Sequence, residues 1–128
     1  MEWRSFNYPM NTNESYTKVK IKKISPAKAY ALIKKQNPMI VDVRPKNFSK
    51  ESFIIGSIHC QTLEIDQRSK QFPKDKAIFV VDWAMKQSPI VAQYLKLNGF
   101  NIIGVLKGGV ERWVYEGLPV ETQSKGQQ

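Results

Sequence analysis

Residues with chemistry to offer collect at three places in the 128-residue chain. Asp82-Trp-Ala-Met-Lys-Gln-Ser88 carries one carboxylate, one ammonium on Lys86 and a closing hydroxyl. His59-Cys60 holds the one histidine and the one cysteine. Asp42 and Arg44 stand two residues apart after an apolar run. An aspartate nucleophile at Asp82 would form an acyl phosphate. That chemistry needs Mg²⁺ held by further carboxylates, and none stands in the stretch. A lone cysteine is most often a small buried hydrophobe, and His59 has no visible partner that would make it a general base. One histidine with one cysteine argues against a dedicated zinc site, and a single cysteine excludes an internal disulfide. No metal or cofactor is expected.

The elements around these residues give the first stretch its meaning. Ala77-Ile-Phe-Val-Val81 is an unbroken apolar run, as expected for a strand buried on both faces. Pro89 to Asn98 has helical spacing, with Val91, Ala92, Tyr94 and Leu95 on one side. Ser88 suits an N-cap and Pro89 the first helical position, where a missing N–H costs nothing. Residues 82–88 are therefore a loop between a strand end and a helix N-terminus, where backbone N–H groups and the helix dipole form an anion cradle.

The remaining chain alternates strands and helices. Lys18–Ile24 alternates apolar and basic residues and reads as a half-exposed edge strand. Ser25-Pro26 opens a helix over Ala27–Gln36, with Ala29, Tyr30 and Ile33 inward, and Asn37-Pro38 stops it. Met39–Val43 is a second buried strand. Asn47–Ser52 reads as a helical turn, Ile54–Ile58 leads into a short third strand ending at His59-Cys60, and Leu63–Gln71 as a polar helix closed by Pro73. Asn98-Gly99 ends the helix after the loop. Ile102–Leu106 is another strand, Lys107-Gly108-Gly109 a tight turn and no phosphate loop, and Val110–Tyr115 a last helix around Trp113. These predict an α/β domain: three layers, with a mostly parallel five-stranded sheet flanked by helices. The domain is expected over residues 18–121, with a flexible extension at 1–17, whose Trp3, Phe6, Tyr8 and Tyr16 pack back or reach a partner, and a tail at 122–128.

Composition sets outer bounds. Apolar content is 41%, ordinary for a globular domain. No apolar run approaches the roughly 18 residues that span a bilayer. Met1–Thr17 lacks the apolar core of a signal peptide. Twenty basic against eleven acidic residues give a net charge of +9. The lysines are scattered, with no dense basic run interleaved with aromatics, so nucleic acid is not expected as a partner. A reducing, cytoplasmic setting and a monomer or weak dimer are expected.

Four blocks between Ile24 and Val120 resemble the single-domain rhodanese-like family. Ile40-Val-Asp-Val-Arg44 resembles its first signature, a strand ending in Asp-x-Arg. Ile54-Ile-Gly-Ser-Ile58 is similar to the end of its second, with Phe53 where His is common and Ser52 where Gly is common. Gly99 to Gly109 resembles the strand and double glycine near the C-terminus, and Trp113 with Gly117-Leu-Pro119 the closing motif. The resemblance implies the family's three-layer fold, with Asp42 bracing Arg44 and Gly108, Gly109 and Trp113 serving the fold.

It also implies a site. In the family the loop after the fourth of these strands opens with a cysteine that accepts sulfur as a persulfide, and loop N–H groups and basic side chains hold the anion. Here Asp82 occupies that position, Trp83, Ala84, Met85, Lys86 and Gln87 follow, Gln87 sits where Arg is frequent, and Ser88 matches the closing Ser. A carboxylate cannot form a persulfide. The expectation is a degenerate loop with no catalytic residue, in which the Asp82 carboxylate acts as a built-in anion. The implied role is an inactive module that binds a protein partner. The competing reading is a sulfurtransferase using Cys60 as a relocated sulfur carrier, or a cysteine supplied by a partner. An anion sensor built on Lys86 conflicts with the carboxylate already in place. Trp83 and Met85 either form an apolar knob for protein contact or fold down over the lost substrate's space.

Overall fold

In a computed structural model, residues 19–45 and 52–121 are described. The expected extension at 1–17, the tail at 122–128 and most of the helical turn over 47–52 lie outside them. Chain order gives β1 (Lys23–Ile24), α1 (Pro26–Gln36), β2 (Met39–Asp42), β3 (Phe53–Ile54), β4 (Ile58–His59), α2 (Ile65–Arg68), β5 (Ala77–Val81), α3 (Ser88–Leu97), β6 (Asn101–Leu106), α4 (Gly109–Tyr115) and β7 (Val120–Glu121). Short 3-10 turns at Thr62–Glu64 and Ser69–Gln71 flank α2.

Five strands form one parallel sheet in the order β1-β6-β5-β2-β4. Its centre, β5, is the unbroken apolar run, and four of its five residues are buried. Side chains alternate across a strand, so Ile78 and Val80 enter one core with Val91, Ala92 and Leu95 of α3. Phe79 and Val81 enter the other with Ala29 of α1 and Val110 and Trp113 of α4. The two cores make the three layers. Trp113 anchors the second: it is 1% exposed, meets Tyr30 edge-on at 5.9 Å and donates from Nε1 to the Pro119 carbonyl at 2.9 Å. Fully burying a side chain of this class stabilises by roughly 1.5–3 kcal/mol.

Several boundaries differ from the sequence expectation. Among the described residues of the alternating segment, strand pairing is confined to Lys23–Ile24, with the Lys22 carbonyl also accepting from the Val105 N–H at 2.9 Å. Further upstream, two carbonyls turn to helix side chains: Val19 accepts from Gln93 Nε2 and Lys20 from Lys96 Nζ. The run Ile54–Ile58 divides at a turn through Gly56, whose φ is +87°. Its first part belongs to a separate two-stranded antiparallel sheet with β7, a strand the sequence did not suggest, and its second pairs with β2 in the main sheet. The polar helix expected over 63–71 is three short helical pieces. α3 ends as expected at Gly99: the Phe100 N–H reaches the Leu95 carbonyl and the Gly99 N–H the Lys96 carbonyl, the paired bonds of a Schellman end.

Candidate functional site

β5 and β2 run side by side with Val81 opposite Asp42, so the loop after β5 and the Asp42-Arg44 turn emerge together at the C-terminal edge of the sheet. Open parallel sheets usually bind ligands at this edge.

The loop is built around the Asp82 side chain, which is 5% exposed. Oδ1 accepts from the Met85 N–H at 2.5 Å and the Ser88 hydroxyl at 3.2 Å. Oδ2 accepts from the N–H groups of Gln87 at 2.6 Å and Ser88 at 3.1 Å. Ser88 is thus not the N-cap. α3 begins at Ser88, Gln87 takes the cap position, and the serine hydroxyl is engaged by Asp82. Closing this ring of donors puts Met85 at φ +65°, the left-handed region that side-chain-bearing residues rarely adopt. Its thioether packs on the α3-side core, so Met85 is not a free knob.

The loop's carbonyls face the other way and finish α4. Asp82 O accepts from Val110 N–H at 2.8 Å and Trp83 O from Glu111 N–H at 3.0 Å. This contact explains one half of the double glycine. Gly109 has φ +70°, and a Cβ there would collide with the Trp83 carbonyl. Gln87 is tied in as well, its Oε1 accepting from Thr62 Oγ1 at 2.5 Å. Nothing in the sequence signalled that bond, because 25 residues separate the two side chains.

Beside the loop, Asp42 and Arg44 form a buried ion pair, each side chain 1% exposed. Arg44 Nη2 meets Asp42 Oδ2 at 2.7 Å and Ser52 O at 2.7 Å, and Nε bridges both carboxylate oxygens at 3.0 and 3.1 Å. Its Nη1 has no acceptor among the described residues. The guanidinium carbon lies 5.8 Å from the Trp83 ring centroid, near enough for a cation–π contact. Trp83 is 42% exposed and Lys86 is exposed. Loop and turn line a half-open cleft of about 300 Å³.

His59 and Cys60 are kept out of it. His59 Nε2 donates to the Arg44 carbonyl at 2.7 Å, so that nitrogen is a donor and not a base; the sequence showed no partner for it. The Cys60 N–H donates to Asp42 O at 2.9 Å, and its side chain is fully buried in the α3-side core. Burial pushes the thiol up from 9.0 to about 11, with Arg68 opposing the shift. A neutral buried thiol is a poor nucleophile. Among the described residues no cluster of His, Cys, Asp and Glu could hold a metal, and no helix is long and apolar enough to cross a membrane.

Comparison with known proteins gives one consistent result. The family model for the rhodanese-like domain matches residues 25–116. A thiosulfate sulfurtransferase GlpE of Coxiella burnetii is 33% identical over 92 residues, covering 72% of this chain and 86% of the relative. The uncharacterized protein YibN of Escherichia coli is 35% identical over 104 residues, 79% of this chain and 73% of that protein. Among solved structures, a rhodanese-related protein from Thermoplasma volcanium superposes with a TM-score of 0.73 at 28% identity, over 78% of this chain and 97% of that one.

Proposed function

The chain belongs to the rhodanese-like family, and from that premise we propose that it is a member that binds or regulates a partner protein instead of carrying sulfur. In this reading Asp82 stands where the family places its thiolate. The observation that carries it is the convergence of three backbone N–H groups and one hydroxyl on the Asp82 carboxylate. Those donors would otherwise serve a transferred sulfur anion, and a carboxylate oxygen cannot take up sulfane sulfur. The partner meets the exposed face of the loop, where Trp83 offers the kind of aromatic surface that dominates protein interfaces. A single buried thiol suits a reducing, cytoplasmic setting.

The competing reading, a sulfurtransferase, draws support from the name of the Coxiella relative. It requires a sulfur acceptor, and the chain's one thiol is buried and held neutral. Wild-type protein incubated with thiosulfate and cyanide is therefore expected to yield no thiocyanate above a Cys60→Ala control. Turnover that Cys60→Ala abolishes, with a mass gain of one sulfur atom on the wild type, would install the competing reading instead.

A further inference from the structure

The chain enters the described part of the fold along α3. Val19 O accepts from Gln93 Nε2 at 3.2 Å, and Lys20 O accepts from Lys96 Nζ at 3.2 Å. Ile21 then packs on the α3-side core, just before the segment joins β1. From Lys20 back to Val19 the helix partner shifts from Lys96 to Gln93. The backbone upstream therefore heads antiparallel to α3, toward the helix N-terminus. An extended residue advances about 3.3 Å and a helical one about 1.5 Å. The stretch of α3 from Gln93 back to Ser88 is thus spanned by about three extended residues. That count brings Tyr16 to the start of α3, beside the 82–88 loop.

The surface on this path is short of cover. The core face of α3 is Ser88, Val91, Ala92 and Leu95. Ile90 and Leu97 lie outside it, at a spacing that puts both on one side of the helix. Ile90 and Pro89 are half-buried, and Leu97 is 43% exposed. A helix that is apolar beyond its core face is normally covered. The segment upstream suits that task. Residues 1–18 hold Trp3, Phe6, Tyr8 and Tyr16, and the acidic Glu2 and Glu14 balance Arg4 and Lys18. A solvated tail has the opposite composition, few aromatics and a high net charge.

We infer that residues 1–18 fold back along α3 of their own chain, with Tyr16 seated on Pro89 and Ile90 and the residues before it carried past the mouth of the loop. A second copy of the chain offers the same aromatics, but the anchors at Val19 and Lys20 set the segment on its own helix. A partner that approaches the loop then meets this strap as well. The docking uses none of the bonds of Asp82, so it stands apart from the sulfur-transfer question.

Paramagnetic NMR on the full chain tests it. A nitroxide is attached at Asn13→Cys in a Cys60→Ala background, so that one thiol is present. The label is expected to erase the amide signals of Lys86, Gln87, Ser88, Ile90 and Val91 and to leave those of α1 and β7 at full height. Tyr16→Ser, which leaves the core of the domain untouched, should restore the erased signals. Ile90→Asp should do the same from the helix side. A weak loss spread evenly over the molecule, erasure on α1 or near β7, or indifference to Tyr16→Ser overturns the inference. Mixing labelled chain with an isotope-enriched chain that carries no nitroxide tests the other occupant: erased signals in the enriched copy assign the contact to a second molecule and overturn docking within one chain. Thiocyanate formation is scored separately, and turnover leaves the strap unaffected.

Discussion

A carboxylate with four donors aimed at it does structural work that can be measured. Replacing Asp82 by Ala leaves the N–H groups of Met85, Gln87 and Ser88 without their acceptor. Bonds to a charged group contribute about 1.5–3 kcal/mol each, but water can reach an opened loop. The expected loss is therefore about 2–3 kcal/mol in urea unfolding. Asp82→Asn should cost less, since its amide oxygen can still accept from part of the ring. Asp82→Cys is expected to give little sulfur transfer, because Gln87 supplies no charge to hold the donor anion; adding Gln87→Arg should raise thiocyanate formation above that of the single variant. A rate for the single variant equal to that of the double would refute this account of Gln87. At Asp42, Asn substitution is expected to destabilise by about 3–5 kcal/mol, because it strands a buried guanidinium.

The elements were legible in the sequence to different degrees, and the reasons are local. β5 could be read because five consecutive apolar residues at a sheet centre need no pattern to disguise them. The Ile54–Ile58 run read only as a lead into the strand ending at His59-Cys60, because its apolar residues continue on both sides of Gly56 and hide the turn that sends its first part to β7. β7 could not be found from its own residues, since two residues form a strand only when β3 lies alongside. At the site, the loop and its two flanking elements were visible, whereas the bonds joining Gln87 to Thr62 and Arg44 to Trp83 depend on tertiary packing alone. α4 belongs with the loop whose carbonyls cap it, and Gly109 is where they touch. Gly109→Ala is expected to destabilise by at least about 2 kcal/mol through strain at positive φ and the clash with the Trp83 carbonyl. Chemical unfolding of this variant beside Gly117→Ala, where a Cβ meets nothing but φ is +75°, separates the clash from the backbone cost.

For the whole molecule, the buried thiol links stability to pH. The folded-state value of Cys60 is raised to about 11 from 9.0, so the fold prefers the protonated form. That preference contributes fully below pH 9 and is lost as pH rises through about 11, with stability declining across that window. Wild type is expected to lose on the order of 2 kcal/mol more than Cys60→Ala over the same range, measured by urea unfolding at each pH. Parallel pH curves for the two proteins would show that the thiol is not the titrating group. Below pH 9 the native thiol should also resist alkylation until the chain unfolds.

The bonds from Asp82 O and Trp83 O to α4 make that helix a strut with its foot on the loop. Its far end is pinned too, because Trp113 holds Pro119 just ahead of β7, and β7 is zipped to β3. A displacement of the Trp83 peptide must therefore either snap the joint at Val110 and Glu111 or be passed along the lever toward Glu121. A fluorophore placed beside Val120 would act as a gauge at the far end of that lever, registering events that take place at residue 83.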